Sequence, residues 1–217
     1  MKIKADLHIH TFYSPDSIIT FQTLIKICKR RKINCVAITD HNTIKGAVEF
    51  SKISPLKVII GEEIDTKDGE IIGYFLKKEI RKGLSAEDTV YAIKEQDGLV
   101  CIPHPFDKLR GSALNPDKLM KIIDDVDIIE GVNGRVFKEL DNALAIEFAV
   151  AYKKQVSAGS DAHTALEIGI ATVELEDFNS KEEFLKNLED AKIYNKVSHP
   201  IVHIFSTGIK IAKKILK

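Results

Sequence analysis

Short β-rich runs alternate with longer helical stretches along almost the whole chain, and nearly every run ends in residues able to bind a metal ion. The alternation restricts the fold to α/β architectures with mostly parallel strands. Expected strands lie at Ile3–Ile9, Cys35–Thr39, from Val58–Ile60 onward, Glu70–Leu76, Leu99–Ile102, Asp127–Val132, Val156–Ala158 and Ile168–Val173. Helices are expected at Phe21–Arg31, Lys45–Lys52, Ala86–Gln96, Pro116–Asp124, Leu140–Lys153 and Lys181–Asp190. Ser85 is placed to cap one of them, and Pro116 stands in the first turn of another. The span between the third and fourth strands is too short for a helix, so Lys67-Asp68-Gly69 is read as a hairpin turn. No internal repeat and no Gly/Ser- or Pro-rich linker divides the 217 residues, which are assigned to one domain.

Composition narrows the function. Lys+Arg and Asp+Glu are equal at 32 each, so no broad basic surface is offered to nucleic acid. Cys28, Cys35 and Cys101 lack C-x-x-C spacing and sit mostly in apolar runs. They are read as buried free thiols, in keeping with a reducing cytoplasm. The amino terminus has no apolar signal core, and no apolar run approaches the roughly 20 residues that span a membrane. A cytoplasmic location is therefore expected. The segment His203–Lys217 is amphipathic, with a lysine-rich face, and reads as a terminal helix packed on the body.

In a barrel of parallel strands the carboxyl ends meet on one face, where sites are built. The strand ends here carry Asp6, His8 and His10; Asp40 and His41; Glu62 and Glu63; His104; Glu130; and Asp161 and His163. The fourth strand begins with Glu70. His8 and His10 are two residues apart and so point to one side of a strand, with Asp6 at the same parity. Asp161-Ala-His163 repeats the carboxylate–imidazole pattern after the tight Ala158-Gly-Ser160 segment. Asp40, at a strand end, could equally cap the next helix. Five of the seven histidines lie in these segments, and His199 and His203 do not. Imidazoles mixed with carboxylates suit Mn²⁺, Zn²⁺ or Fe²⁺. The candidates exceed the needs of one ion, so two or three divalent ions are expected, as in phosphoryl-transfer hydrolysis.

The ordered set Asp6-Leu-His-Ile-His-Thr11, Ser14, Thr39-Asp-His-Asn42, Gly61-Glu-Glu-Ile64, Pro103-His-Pro105, Glu130-Gly-Val-Asn133 and Gly159-Ser-Asp-Ala-His163 resembles the PHP (polymerase and histidinol phosphatase) family. The likeness covers about residues 3–175, leaving 176–217 as a carboxyl-terminal extension. It implies a distorted (β/α)₇ barrel of the TIM type, with a metal cluster at the strand carboxyl ends. It further implies that His8, His10, Glu63 and Asp161 hold a first metal. Glu63 would bridge to a second ion bound by His104, and Asp16, His41 and His163 would hold a third. Glu62 ranks below Glu63, because the family's ligand lies two residues after the glycine. Some members carry His where Glu70 stands, so Glu70 either replaces that ligand or leaves its place vacant. Only Asp16 follows the first motif, where polymerase-type members have a further His. In this the chain is similar to the small stand-alone phosphoesterases, including those acting on nucleotides or short RNA.

Arg110 and Arg135 each follow a candidate strand end by a few residues, and their forked donors match phosphate oxygens. The expected activity is metal-dependent hydrolysis of a small phosphorylated substrate, a nucleotide or other monoester or a short RNA. A metal-bound hydroxide would attack, Arg110 and Arg135 would neutralise the phosphoryl oxygens, and Asp161 or His163 would handle protons. Two other readings stand beside it. One is an amidohydrolase-type C–N hydrolase, which commonly bridges its metals with a modified Lys, where this chain has Glu63. The other is a non-enzymatic, metal-stabilised regulatory module.

Overall fold

Strands β2 (Cys35–Ile38), β5 (Leu99–Ile102) and β6 (Ile128–Asn133) are buried at every residue, as strands covered on both faces must be. They belong to a nine-stranded sheet in a computed structural model that describes residues 1–195. The other strands are β1 (Lys2–Ile9), β3 (Lys57–Asp65), β4 (Glu70–Tyr74), β7 (Gln155–Gly159), β8 (Ala171–Glu176) and β9 (Lys192–Asn195). The sheet order is β7-β6-β5-β4-β3-β2-β1-β8-β9. Helices α1 (Phe21–Arg31), α2 (Lys45–Ile53), α3 (Ala86–Glu95), α4 (Pro116–Ile122), α5 (Glu139–Ala151) and α6 (Lys181–Asn187) alternate with the strands. The amphipathic segment His203–Lys217 lies outside the described residues.

The sheet curls until its first and seventh strands meet. Asp161 N–H donates to His8 O at 2.7 Å, and Ile9 and Ala162 form a parallel bridge. Gly159 makes this closure possible, because a Cβ there would lie 2.2 Å from the His8 Cβ. Tyr74 fills the interior and donates its hydroxyl to Leu7 O at 2.8 Å, among Leu7, Ala37, Cys101 and Ala158. Two further apolar layers lie under the helices, around Val90 and Ile93 of α3 and around Leu24 and Phe50 of α1 and α2. Cys28, Cys35 and Cys101 are all free and buried.

The parallel pattern is broken twice. β4 runs antiparallel to both β3 and β5, and β8 antiparallel to β1. The β3–β4 connection is the hairpin expected from Lys67-Asp68-Gly69, closed by Thr66 N–H on Gly69 O at 3.1 Å. β3 is longer than its apolar core suggests, since it carries buried Glu62 and Glu63. β8 starts later than Ile168, because residues 167–170 form a turn closed by Ile170 N–H on Glu167 O, with Gly169 at φ +76°. β9 has only four residues, mostly exposed, and no periodicity short enough to announce it. Among the described residues, no helix is long and apolar enough to cross a membrane.

Candidate metal centre

The rim at the carboxyl ends of the parallel strands receives a reversed strand as well. Because β4 is antiparallel, its first residue, Glu70, pairs with Asp65 at the end of β3 and so arrives on the same rim. Past β5 and β7 the backbone turns through the left-handed region, at His104 (φ 33°) and Asp161 (φ 53°). Such residues cost roughly 1–3 kcal/mol each and persist where the surroundings hold them. Here both side chains are delivered to the rim.

Five histidines and four carboxylates converge. His8 and His10 bring their Nε2 atoms to 3.1 Å from one another. Glu63 lies between two pairs of imidazoles. Its Oε1 is 3.1 Å from His104 Nε2 and 3.5 Å from His8 Nε2, and its Oε2 is 3.2 Å from His10 Nε2 and 3.3 Å from His41 Nδ1. Asp161 Oδ1 is 3.4 Å from His10 Nε2 and 3.7 Å from His8 Nε2. On the outer side, Asp16 joins His41 and His163, at 3.5 and 3.4 Å from their Nε2 atoms. Glu70 Oε2 stands 3.4 Å from His104 Nε2. His8, His10, Asp16, His41, Glu63, Glu70, His104, Asp161 and His163 are thus brought together. Glu62, on the opposite face of β3, accepts the Ile80 N–H at 2.9 Å instead.

The far sides of His8 and His10 are tied down. His8 Nδ1 donates to Glu130 Oε1 at 2.9 Å, and Glu130 Oε2 accepts from His104 N–H and Asn133 Nδ2, both at 2.9 Å. His10 Nδ1 donates to Ser14 Oγ at 3.1 Å, and the Ser14 hydroxyl donates to Asp40 Oδ1 at 2.8 Å. Both arrangements put the proton on Nδ1 and leave the Nε2 lone pair facing the centre, the tautomer that ligates metals. Asp40 is thus no helix cap; it also accepts from the N–H and hydroxyl of Thr11. Asp6, expected on the same side as His8 and His10, does not reach the centre, because the register of β1 against β2 shifts between Asp6 and Ile9. Its carboxylate takes the N–H groups of Ser160 (2.8 Å), Gly169 (2.7 Å) and His8 (3.4 Å). Glu167 holds the His163 loop through the N–H groups of His163 and Thr164.

Two guanidinium groups border the cluster. Arg110 Nη2 is 2.7 Å from Asp161 Oδ2, and its Nε is 3.5 Å from Asp107. Arg135 Nη1 is 2.9 Å from His163 Nδ1, and its Nε is 3.3 Å from Glu167.

Charge in so buried a cluster is decided by neighbours. Burial opposes ionisation of Glu63, yet His8 and His41 hold its carboxyl well below the usual range. Burial likewise opposes Asp161, and Arg110 and His8 overcome it. His41 is raised to about 10 against its burial, chiefly by Glu63 and Asp16. His163 is pushed down to about 3 by burial and by His10. The donor set fits divalent ions. Asp16 Oδ1, His41 Nδ1, Glu63 Oε2 and Asp161 Oδ1 are buried with no hydrogen-bond partner among the described residues, and each belongs to the cluster. Groups whose donor atoms lie within 4.8 Å of one another are His8, His10 and Glu63; Glu63, Glu70 and His104; His10, His41 and His163; and His41, Asp65 and Glu70.

The sequence from residue 6 to residue 199 matches the family model of the PHP domain. The chain belongs to the PHP domain family. The uncharacterized protein MJ1587 of Methanocaldococcus jannaschii is 50% identical over 117 residues, which are 48% of this chain and 68% of that protein. Two solved structures share the PHP fold of this chain. One is a two-domain protein from Bacteroides vulgatus containing a predicted PHP-like metal-dependent phosphoesterase, with a TM-score of 0.71 and 16% identity over 90% of this chain. The match spans 65% of that protein, just under two thirds of its length. The other is the lesion-specific endonuclease PfuEndoQ from Pyrococcus furiosus, with a TM-score of 0.61 and 16% identity over 89% of this chain and 58% of that one.

Within this PHP domain, Asp40, Glu130, Asn133 and Glu167 hold ligands in place, whereas the sequence suggested the first two as possible ligands and no role for the other two. Asp40 and Glu130 are visible as strand-end carboxylates, but their partners Ser14, His8 and His104 are 26 to 122 residues away. Glu167 and Asn133 give no signal beyond lying next to candidate ligands.

Proposed function

We propose that this protein hydrolyses a phosphoester bond of a small phosphorylated substrate, a nucleotide or other small monoester or a short RNA, using two or three divalent ions, Mn²⁺, Zn²⁺ or Fe²⁺. His8, His10, Glu63 and Asp161 would hold one ion, Glu63, Glu70 and His104 a second, and Asp16, His41 and His163 a third. Ions so held supply Lewis acidity and lower the pKa of water. The remaining work falls to the chain's own residues.

The observation that carries the reading is the pair of arginines beside a cluster already rich in ligands. Arg110 and Arg135 flank Asp161 from two loops, 2.7 and 4.0 Å from its carboxylate oxygens. Their forked donors suit the non-bridging oxygens of a phosphoryl group, whose charge must be balanced as the bond to the leaving group breaks. A site for C–N hydrolysis has no comparable need for two guanidinium groups. Asp161 and His163 stand nearest those arginines and are the residues assigned to orienting the nucleophile and taking its proton. Burial and His10 keep His163 neutral at pH 7, with a lone pair available to an ion. The Bacteroides protein's phosphoesterase description and the Pyrococcus protein's endonuclease activity both concern phosphoester bonds and support this assignment.

The test is phosphate or nucleotide release by metal-stripped protein with Mn²⁺, Zn²⁺ or Fe²⁺ restored singly. The panel comprises an aryl phosphomonoester, an aryl phosphodiester, a nucleoside 3′,5′-bisphosphate and a short RNA. Turnover that returns with metal on any of them supports the proposal. Protein that binds metal stoichiometrically and turns over none of them overturns it.

A further inference from the structure

Four donor groups lie at the centre, and they differ in composition. His10, His41 and His163 offer three imidazoles; His8, His10 and Glu63 offer two imidazoles and a carboxylate; Glu63, Glu70 and His104 offer one imidazole and two carboxylates. His41, Asp65 and Glu70 likewise offer one imidazole and two carboxylates, so carboxylates outnumber imidazoles only in the two groups that contain Glu70. Imidazole suits Zn²⁺ and Fe²⁺, whereas carboxylate oxygen suits harder ions such as Mn²⁺.

Glu70 makes the oxygen-rich end, and it is well secured. Its Oε2 accepts the Ser112 hydroxyl at 2.5 Å, and its backbone N–H donates to Ser112 O at 2.8 Å. The side chain is 9% exposed, and its Oε1 lies 4.0 Å from His41 Nδ1. Its partners Glu63 and His104 have fully buried side chains and meet at 3.1 Å. The Ser112 hydroxyl uses one lone pair of Oε2 and orients the carboxylate, and the same oxygen turns its other lone pair toward His104, 3.4 Å away. Glu70 owes its place to the reversal of β4, which brings the first residue of a strand to a rim otherwise supplied by strand carboxyl ends.

We infer that the centre is divided by ligand hardness, the Glu63–Glu70–His104 subsite favouring Mn²⁺ relative to Zn²⁺ more than its neighbours do, with Glu70 as the residue that sets this preference. The inference rests on the metal-dependent reading above. It makes this a mixed-metal centre in which Glu70 decides which ion sits beside His104.

Metal-stripped protein is equilibrated with buffered mixtures of Mn²⁺ and Zn²⁺. Bound metal per chain is then read by inductively coupled plasma mass spectrometry, and bound Mn²⁺ by electron paramagnetic resonance. The wild type is compared with Glu70→His, Glu70→Gln and Glu70→Asp. Glu70→His is expected to move one equivalent from Mn²⁺ toward Zn²⁺, shifting the exchange ratio by about tenfold or more, with total metal unchanged. Glu70→Gln, which loses the anionic oxygen, shifts the same way, and Glu70→Asp keeps the wild-type ratio. If Glu70→His fails to fold by circular dichroism, Glu70→Gln against Glu70→Asp gives the same comparison. An unchanged ratio in folded Glu70→His or Glu70→Gln that binds its full metal complement overturns the division and leaves the metal-dependent reading standing. Wild-type protein that takes up neither ion stoichiometrically overturns both.

Discussion

The Nε2 atoms of His8 and His10 face each other at 3.1 Å, each with its Nδ1 committed elsewhere, to Glu130 and to Ser14. Two lone pairs at that separation repel unless a cation lies against them. Without metal that cation is a proton. Burial opposes it, but Glu130 and Glu63 raise His8 well above its ordinary value of 6.5, and Asp161 and Glu63 raise His10. Metal must displace this proton, so binding releases protons and tightens as pH rises, through and beyond pH 6.5. Competition with a chromophoric chelator at pH 6, 7 and 8 is expected to show affinity rising at each step. A flat profile contradicts the arrangement.

Glu130 is expected to control metal affinity without touching metal. It holds His8 through Nδ1 and His104 through its backbone N–H. Replacing it by Ala frees both ligands, and affinity should fall about 10–100-fold. Isothermal titration calorimetry reads the loss, and an unchanged far-ultraviolet circular dichroism spectrum separates it from unfolding.

Arg110 should matter to turnover through its shape as well as its charge. Lysine in its place keeps the charge but loses the fork. With a phosphoester substrate, Arg110→Lys is expected to lower kcat/KM by about 10²–10³-fold. Retention of the bound metal in the same variant distinguishes loss of the phosphate contact from loss of Asp161. Undiminished turnover removes Arg110 from the proposed machinery.

Asp6 is predicted to be a stability residue. It takes three backbone N–H groups from β1, from Ser160 and from the turn at Gly169. Asp6→Ala orphans them in a fully buried place, at about 1–3 kcal/mol for each donor left without a partner. Urea denaturation should show a lowered midpoint, and residual folded protein should still bind metal.

Gly159→Ala tests the closure between β7 and β1. The added methyl group meets His8 backbone N at 2.6 Å as well as its Cβ, neither of which can move aside alone. The cost is expected at about 2 kcal/mol or more, read by thermal denaturation. Because the collision displaces His8, metal affinity should fall too, which separates this glycine from one that serves only a turn.

The alternation of strand and helix, the hairpin before Glu70 and the gathering of five histidines at strand ends could all be read from residues 1–175. Each is a local pattern: hydrophobic period, turn residues, or parity within one strand. Parity also shows its limit. The spacing of Asp6, His8 and His10 predicts one shared side of β1, yet only the histidines reach the centre. Parity holds only while the register does: the pairing of β1 with β2 shifts between Asp6 and Ile9, which turns Asp6 away from the centre, and N–H groups of two other segments take its charge.

The sequence by itself determined which chemistry was available: imidazoles and carboxylates without thiolates, at the ends of apolar runs, with two arginines nearby. Tertiary structure alone decided how those groups are shared. Reversal of β4 placed Glu70 beside His104, closure of β7 on β1 placed Asp161 opposite His10, and Glu130 came to lie behind a histidine 122 residues away. These relations depend on which strands become neighbours and in what direction. That choice is made by burying apolar faces over the whole barrel, and no stretch of sequence short enough to be read locally contains it.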